Sequence, residues 1–314
     1  MRAVLIRRFL MMLVVLLLVS LVIFAITELL PGDVARSILG QWATPEDLRI
    51  LRVKYGLDRP AYIRYLEWMR GFVTGNWGIS PRLDVPIASL LLTRLGNSAI
   101  LGLLALAVIT PVSILLGVIA GLKANRWPDR VISITTLFFM AMPEFVSGVF
   151  LILVFSWWLK LLPATSFMQP GASPINSPQL LIMPTITLTL VLLAYIGRMT
   201  RSSMIDTLQA PYVRTAFLKG LPYWTVVIRH ALRNALVPTV TVISNQIGWL
   251  IGGLVVVESL FAYPGIGFLL YESILTKDIM IVESAAMLVA TVYVVSNFIA
   301  DMLYIYLNPR IRYE

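Results

Sequence analysis

The chain has 314 residues, 59% hydrophobic and 13% charged, whereas soluble proteins run near half apolar and about a quarter charged. The apolar residues gather into uncharged runs near the length that a helix needs to cross hydrocarbon, about 20 residues, so a bilayer is the solvent these residues fit. Cysteine is absent, which excludes disulfides, zinc–thiolate sites, iron–sulfur clusters and thiol nucleophiles; the formal charge of +9 suits nucleic acid or an acidic membrane surface until its distribution is read.

The first run, residues 9–27, follows Arg2, Arg7 and Arg8 and fits either a secretory signal or a first transmembrane helix. It is longer than a signal's apolar region, and Glu28, Leu29, Leu30, Pro31 and Gly32 offer no small-residue cleavage pattern, so it reads as a span. Residues 30–94 are rich in both signs and read as a small external subdomain. Within them Thr44-Pro45-Glu46-Asp47 is a cap followed by proline and acids, which starts a helix, and residues 63–72 form an amphipathic stretch. The second span covers 95–122 and the third 131–159, interrupted only by Glu144. Residues 162–179 are also uncharged, yet Pro163, Pro170, Gly171, Pro174 and Pro178 make them a loop. Spans four, five and six cover about 180–197, 238–261 and 285–306, the last with Asp301 near its end. The expected fold class is an all-α membrane protein with six transmembrane helices.

Basic residues orient this chain. With the N-terminus inside, the cytoplasmic set is Arg2, Arg7, Arg8, Lys123, Arg126, Arg130, Arg198, Arg201, Arg214, Lys219, Arg229, Arg233, Arg310 and Arg312, opposed there only by Asp129, Asp206 and Glu314. Outside, residues 162–179 carry no basic residue, and 263–284 carry Lys277 beside Glu272, Asp278 and Glu283. This positive-inside asymmetry predicts that both termini are cytoplasmic.

The inner loop, residues 200–237, reads as two short helices broken at Gly220-Leu221-Pro222. Residues 212–219 form the first, after Pro211; glycine permits the positive backbone angle of a helix stop, and proline suits the first turn of the next helix. From Trp224 onward Val227, Ile228, Ala231, Leu232, Ala235 and Leu236 make an apolar stripe at helical spacing, with Arg229 and Arg233 on another face. The pattern alone fits a compact surface knob or a basic helix lying on anionic lipid.

The run Tyr-Val-Arg-Thr-Ala-Phe-Leu-Lys-Gly-Leu-Pro from Tyr212, continued by Arg229-His230-Ala231-Leu232-Arg233-Asn234-Ala235-Leu236-Val237-Pro238, resembles the coupling signature of the dipeptide, oligopeptide and nickel ABC importer permeases. Further matches cover most of the chain: Leu30-Pro31-Gly32-Asp33, Tyr55-Gly56-Leu57-Asp58-Arg59-Pro60, Ala141-Met142-Pro143, Val257-Glu258 with Phe261 and Pro264-Gly265-Ile266-Gly267, and Asn308-Pro309-Arg310-Ile311-Arg312. The resemblance is to the pair member with the long first external loop. It implies a type I importer permease of the bacterial inner membrane: residues 1–29 the N-terminus and first span, 30–94 the external subdomain, and 95–314 the permease core with coupling loop 200–237.

The resemblance further implies that this chain forms half of a translocation pathway for small peptides or a related solute, such as a nickel complex or glutathione. A second related permease, two cytosolic ATPase subunits or domains, an external substrate-binding protein and membrane lipid are the implied partners. No cofactor is expected on this chain, ATP and Mg being held by the ATPases. Carried over by position, ATPase coupling falls to Arg214, Thr215, Ala216, Lys219, Gly220 and Leu221. Arg214 and Thr215 stand where the general importer pattern has Glu and Ala, and Pro238 lies further from Gly220 than that pattern has it.

Glu144, beside Pro143, is the prominent intramembrane charge; such a group is paired or faces water, so it either lines the path or bonds a neighbouring helix across a proline kink. Asn245 and Gln246, with Gly252-Gly253, could face a passing solute or serve helix packing. Glu258 and Asp301 sit near span ends and read as structural. His230 is the only histidine, so no histidine metal cluster can form within the chain. No phosphate loop, dinucleotide fingerprint, nucleophile elbow or zinc-protease motif occurs, so no catalytic residue is assigned. Eight tryptophans and twelve tyrosines suit interfacial belts better than base stacking, and no nucleic-acid partner is expected. A proton- or sodium-coupled secondary transporter is the alternative, disfavoured because no inverted repeat is evident.

Overall fold

The computed structural model describes residues 2–29, 43–169 and 171–307. Pro170 and the motifs Leu30-Pro31-Gly32-Asp33 and Asn308-Pro309-Arg310-Ile311-Arg312 lie outside them. The described residues form helices α1 (Arg2–Leu29), α2 (Pro45–Tyr55), α3 (Ala61–Thr74), α4 (Ile87–Leu122), α5 (Trp127–Ala141), α6 (Glu144–Trp158), α7 (Gln179–Leu208), α8 (Pro211–Leu218), α9 (Tyr223–Phe261), α10 (Ile266–Leu275) and α11 (Ile279–Leu307). Among the described residues the only extended pairing is a bridge between Ile79 and Pro86. Helices α1, α4, α7, α9 and α11 are each long and apolar enough to cross a membrane, and α5 with α6 makes a sixth, broken span. The fold is thus the expected all-α membrane protein.

Two spans differ most from the sequence reading. The third is not one helix: α5 and α6 meet at a bend of 106°. Met142 between them is extended, with φ −85° and ψ 129°, because Pro143 disfavours the helical region for the residue before it and lacks an N–H to continue the ladder. The fifth does not begin near Pro238. Its helix starts at Tyr223, passes through a π-helical turn at Val226–Leu232, and carries Pro238 inside. The apolar stripe of Val227, Ala231 and Ala235 is buried and keeps the helix packed through the proline, whose lost hydrogen bond a neighbour-supported span tolerates. Since α7 also runs on to Leu208, the non-span part of the predicted inner loop shrinks to residues 209–222. Helices α4 and α11 start earlier than hydropathy alone placed them, because backbone hydrogen bonding continues past the apolar stretch.

The chain divides into two compact units, Met1–Ser98 with Pro264–Val295, and Ala99–Tyr263 with Ser296–Glu314. In the first, Thr44 caps α2: its hydroxyl accepts the Asp47 N–H at 3.2 Å while the Asp47 carboxylate accepts the Thr44 N–H at 3.1 Å. The Thr44 hydrogen bonds hold the Asp47 carboxyl below its ordinary range. Helix α3 lies on α1 through Tyr65, whose ring meets Phe24 edge-on at 5.4 Å and whose hydroxyl is 2.9 Å from Ser20 Oγ. Ile87, Leu91, Ile266, Leu269, Ile281 and Ala285 form this unit's apolar core.

The second unit is built around α7, with Leu188, Leu192 and Ile196 buried against Leu101, Ala105 and Ile109 of α4 and Leu250, Leu254 and Val257 of α9. Small residues allow α4 to approach closely: a Cβ on Gly117 would stand 2.6 Å from the Gly197 carbonyl oxygen and 2.6 Å from Thr200 Cβ, and one on Gly121 2.7 Å from Met204 Cβ. Glycines four apart on one helix face are how spans dock without a hydrophobic driving force. Across the start of α5, Arg201 of α7 makes a bidentate pair with Asp129, Nε to Oδ1 at 2.5 Å and Nη2 to Oδ2 at 2.7 Å. Asp129 is buried and also accepts the Asn125 N–H at 2.8 Å, so the carboxylate is compensated where water is scarce.

Candidate functional site

Helix α8 is a two-turn helix that stands on its own small core. Val213 and Ala216 are buried with Val226, against Leu208 and Ala210. The remaining faces, including Arg214, Thr215, Lys219, Gly220 and Leu221, are exposed. Five of the six residues assigned to coupling therefore form one open surface, and Ala216 supports that surface from within.

The helix ends as the sequence indicated. Gly220 takes φ +75°, its N–H donates to the Phe217 carbonyl at 2.9 Å, and the Leu221 N–H reaches the Ala216 carbonyl at 3.4 Å. These two bonds are a Schellman stop, with glycine at the left-handed position. Pro222 is extended and caps the next helix. No atom lies within 4 Å of where a Gly220 Cβ would be, so glycine is required there for its backbone angle and not for space.

Sequence reasoning missed the aromatic part of this surface. Phe217 stacks on Tyr223 at 6.0 Å, and Tyr223 meets Trp224 edge-on at 5.4 Å; with Leu218 and Ile228 these side chains are exposed. A signal was present in the exposed i, i+1 apolar pairs, which a helix packed only on itself would not need. Asn234 Nδ2 donates to the Tyr212 hydroxyl at 2.9 Å, tying α8 to α9.

A second cluster lies at the break between α5 and α6. Glu144 is the first residue of α6, where the helix N-terminus favours a carboxylate. Its side chain lies against Gly253 of α9: a Cβ there would be 3.0 Å from Glu144 Oε1. The carboxylate meets no hydrogen-bond donor among the described residues and is half-buried. Gln246 is two turns before Gly253 on the same stripe, and exposed Asn245 is two turns before exposed Gly252, a rise of roughly 10 Å. Glu144 thus lies by the Gly253 stripe that carries Gln246, and Asn245 lies on the neighbouring stripe of α9. Glu258, by contrast, is wholly buried further along α9, and burial together with its charge pushes the Tyr263 phenol above its ordinary value. Gly248 faces Asn297 of α11: a Cβ would stand 2.5 Å from Asn297 Oδ1 and push that amide aside.

The knob, the long α9 and the broken third span all fall within residues 113–313, which match the family described as binding-protein-dependent transport system inner membrane component. The chain belongs to that family. Residues 1–84 match the family's N-terminal component as well. The chain is similar to a protein of Brucella abortus strain 2308 provisionally named as a peptide transport system permease, 34% identical over 314 residues, the full length of both. It is also similar to the glutathione transport system permease protein of Escherichia coli strain K12, 35% identical over 309 residues, 98% of each chain. This member of the importer permease family is accordingly a multi-pass protein of the bacterial inner membrane.

Proposed function

We propose that this permease forms half of the translocation pathway of an ATP-driven importer for small peptides or a related solute such as glutathione or a nickel complex. In this reading both termini are cytoplasmic, and α8 with Arg214, Thr215, Lys219, Gly220 and Leu221 docks on a cytosolic ATPase. Ala216 holds the docking surface from inside. A second, related permease completes the pathway, two ATPase subunits or domains hold ATP and Mg, and an external binding protein delivers the solute. Glu144, Asn245 and Gln246 line the path, the carboxylate meeting the solute's amino group.

The observation that supports this best is the continuity of α9. One 39-residue helix, roughly 58 Å long at the usual rise, begins beside the exposed knob and carries Asn245 and Gln246 in its middle. In this reading a displacement of the knob is passed to Asn245 and Gln246 along one continuous helix. The relatives named for peptide and glutathione transport support the solute class.

The test is reconstitution. Liposomes holding this chain with its second permease and ATPases should take up solute only with ATP and binding protein, and the purified chain alone should hydrolyse none. Gradient-driven uptake by this chain alone would overturn the reading in favour of a secondary transporter.

A further inference from the structure

The first unit contains a cavity of about 610 Å³, within the size range of small-molecule sites. It lies where the C-terminal end of α1 meets α3, the loop after α3 and the start of α11. Part of its lining is charged. Glu28 of α1 pairs with Arg64 of α3, and Glu283 of α11 accepts the Thr27 hydroxyl at 2.7 Å within electrostatic reach of both Arg64 and Glu28. Among the described residues Arg64 is paired with Glu28, and the Glu283 carboxylate has the Thr27 hydroxyl as its hydrogen-bond donor, so Glu283 is the lining carboxylate that a bound cation would suit best.

The walls favour a particular cation. Phe24, Trp68, Phe72 and Trp77 line the cavity, with Phe24 stacked on Trp68 at 6.2 Å and Phe72 on Trp77 at 5.6 Å. Aromatic faces beside carboxylates recognise an ammonium group by cation–π attraction and charge. The other carboxylates are already engaged: Glu67 pairs with Arg59 at 2.6 Å, and Asp278 accepts the Ser80 hydroxyl at 2.5 Å and the Ile281 N–H at 3.3 Å. Arg82 and Lys277 also line the cavity, Arg82 donating to the Thr276 carbonyl at 3.2 Å. We infer that this cavity binds a zwitterion, its ammonium held by Glu283 and the aromatic wall and its phosphate or carboxylate by Arg82 and Lys277.

That chemistry has two sources, the headgroup of an ethanolamine phospholipid and a free amino acid or short peptide, and the experiment separates them. The full-length chain in detergent is titrated calorimetrically with phosphoethanolamine and with glycylglycine, alongside N-acetyl-glycylglycine and inorganic phosphate. In parallel its melting temperature is compared in nanodiscs of ethanolamine and of glycerol phospholipids. Binding of a free ammonium probe, with the acetylated peptide and phosphate at least tenfold weaker, supports the site and a soluble ligand. Stabilisation by ethanolamine lipid without binding of glycylglycine supports the site and a lipid ligand.

Glu283→Gln should weaken the responding probe at least tenfold, and Arg82→Ala, an exposed change that leaves Glu28, Arg64 and Glu283 in place, at least threefold. Absence of any response in both formats overturns the inference. Equal binding of the acetylated peptide, or unchanged affinity in both variants, overturns it as well.

Discussion

The glycines of the α4–α7 crossing and the glycine that ends α8 serve opposite needs. Gly117 and Gly121 have ordinary helical backbones and no room for a methyl group, with Gly197 and Thr200 at 2.6 Å from the missing Cβ of Gly117. Gly220 has open space around it and a backbone angle that other residues reach at a cost. Volume therefore limits the membrane core, where van der Waals packing holds spans together, and dihedral freedom limits the surface knob. The first kind of glycine sets whether the chain folds, the second what shape it shows to a partner.

The comparison breaks most visibly at Gly117→Val. Overpacking against backbone cannot be relieved by a rotamer change, and a loss of about 3 kcal/mol is expected, read as a lower melting temperature and aggregation in detergent; an unchanged melt would refute the close crossing. Asp129→Ala should cost about 2 kcal/mol, less than a fully buried pair because Arg201 retains 31% exposure. The double variant Asp129→Leu with Arg201→Met should recover much of it, and failure to recover would mean the ion pair does more than compensate charge.

Ala262 sharpens the comparison from the other side. It ends α9 with the Schellman bonds of Gly220, Tyr263 N–H to Glu258 carbonyl at 2.9 Å and its own N–H to Ser259 at 3.5 Å, yet is alanine at φ +50°. Ala262→Gly should raise stability by about 1 kcal/mol, and a lower melting temperature would contradict the strain. The smallest effect belongs to the exposed cap of α2. Thr44→Ala should speed amide exchange in α2. Because the Asp47 carboxyl is lowered by Thr44, its contribution is full above the ordinary carboxylate value and fades as pH falls through the lowered one. The difference between wild type and variant should shrink in acid; a difference growing in acid would contradict it.

Hydropathy revealed the spans because hydrocarbon demands apolar length, and local chemistry revealed the Thr44 cap and the Gly220 stop because each is settled within six residues. The 106° bend was only half visible: Pro143 stood in the sequence, but so did Pro111, Pro184 and Pro238, which lie inside continuous helices. What separates them is the backbone before the proline, extended at Met142 and helical before the other three. The helix ends at Leu208 and Tyr223 lie beyond the apolar runs that mark the spans. Asp129 and Arg201 were counted as surface charges, since their pairing joins distant segments. The inward turn of Ala216 follows from the register of α8 against Val226, which no local pattern fixes.

The central claim is that the knob on α8 couples this permease to its ATPases, and Gly220→Val tests it most directly. A β-branched residue in the left-handed region costs on the order of 1–2 kcal/mol, too little to unfold the spans and enough to displace Leu221 and Pro222. Membrane abundance, co-purification of the ATPase subunits and solute-stimulated ATP hydrolysis would be measured together in the reconstituted assembly. The account predicts normal abundance with stimulated hydrolysis and transport largely lost; normal transport by the valine variant would contradict it.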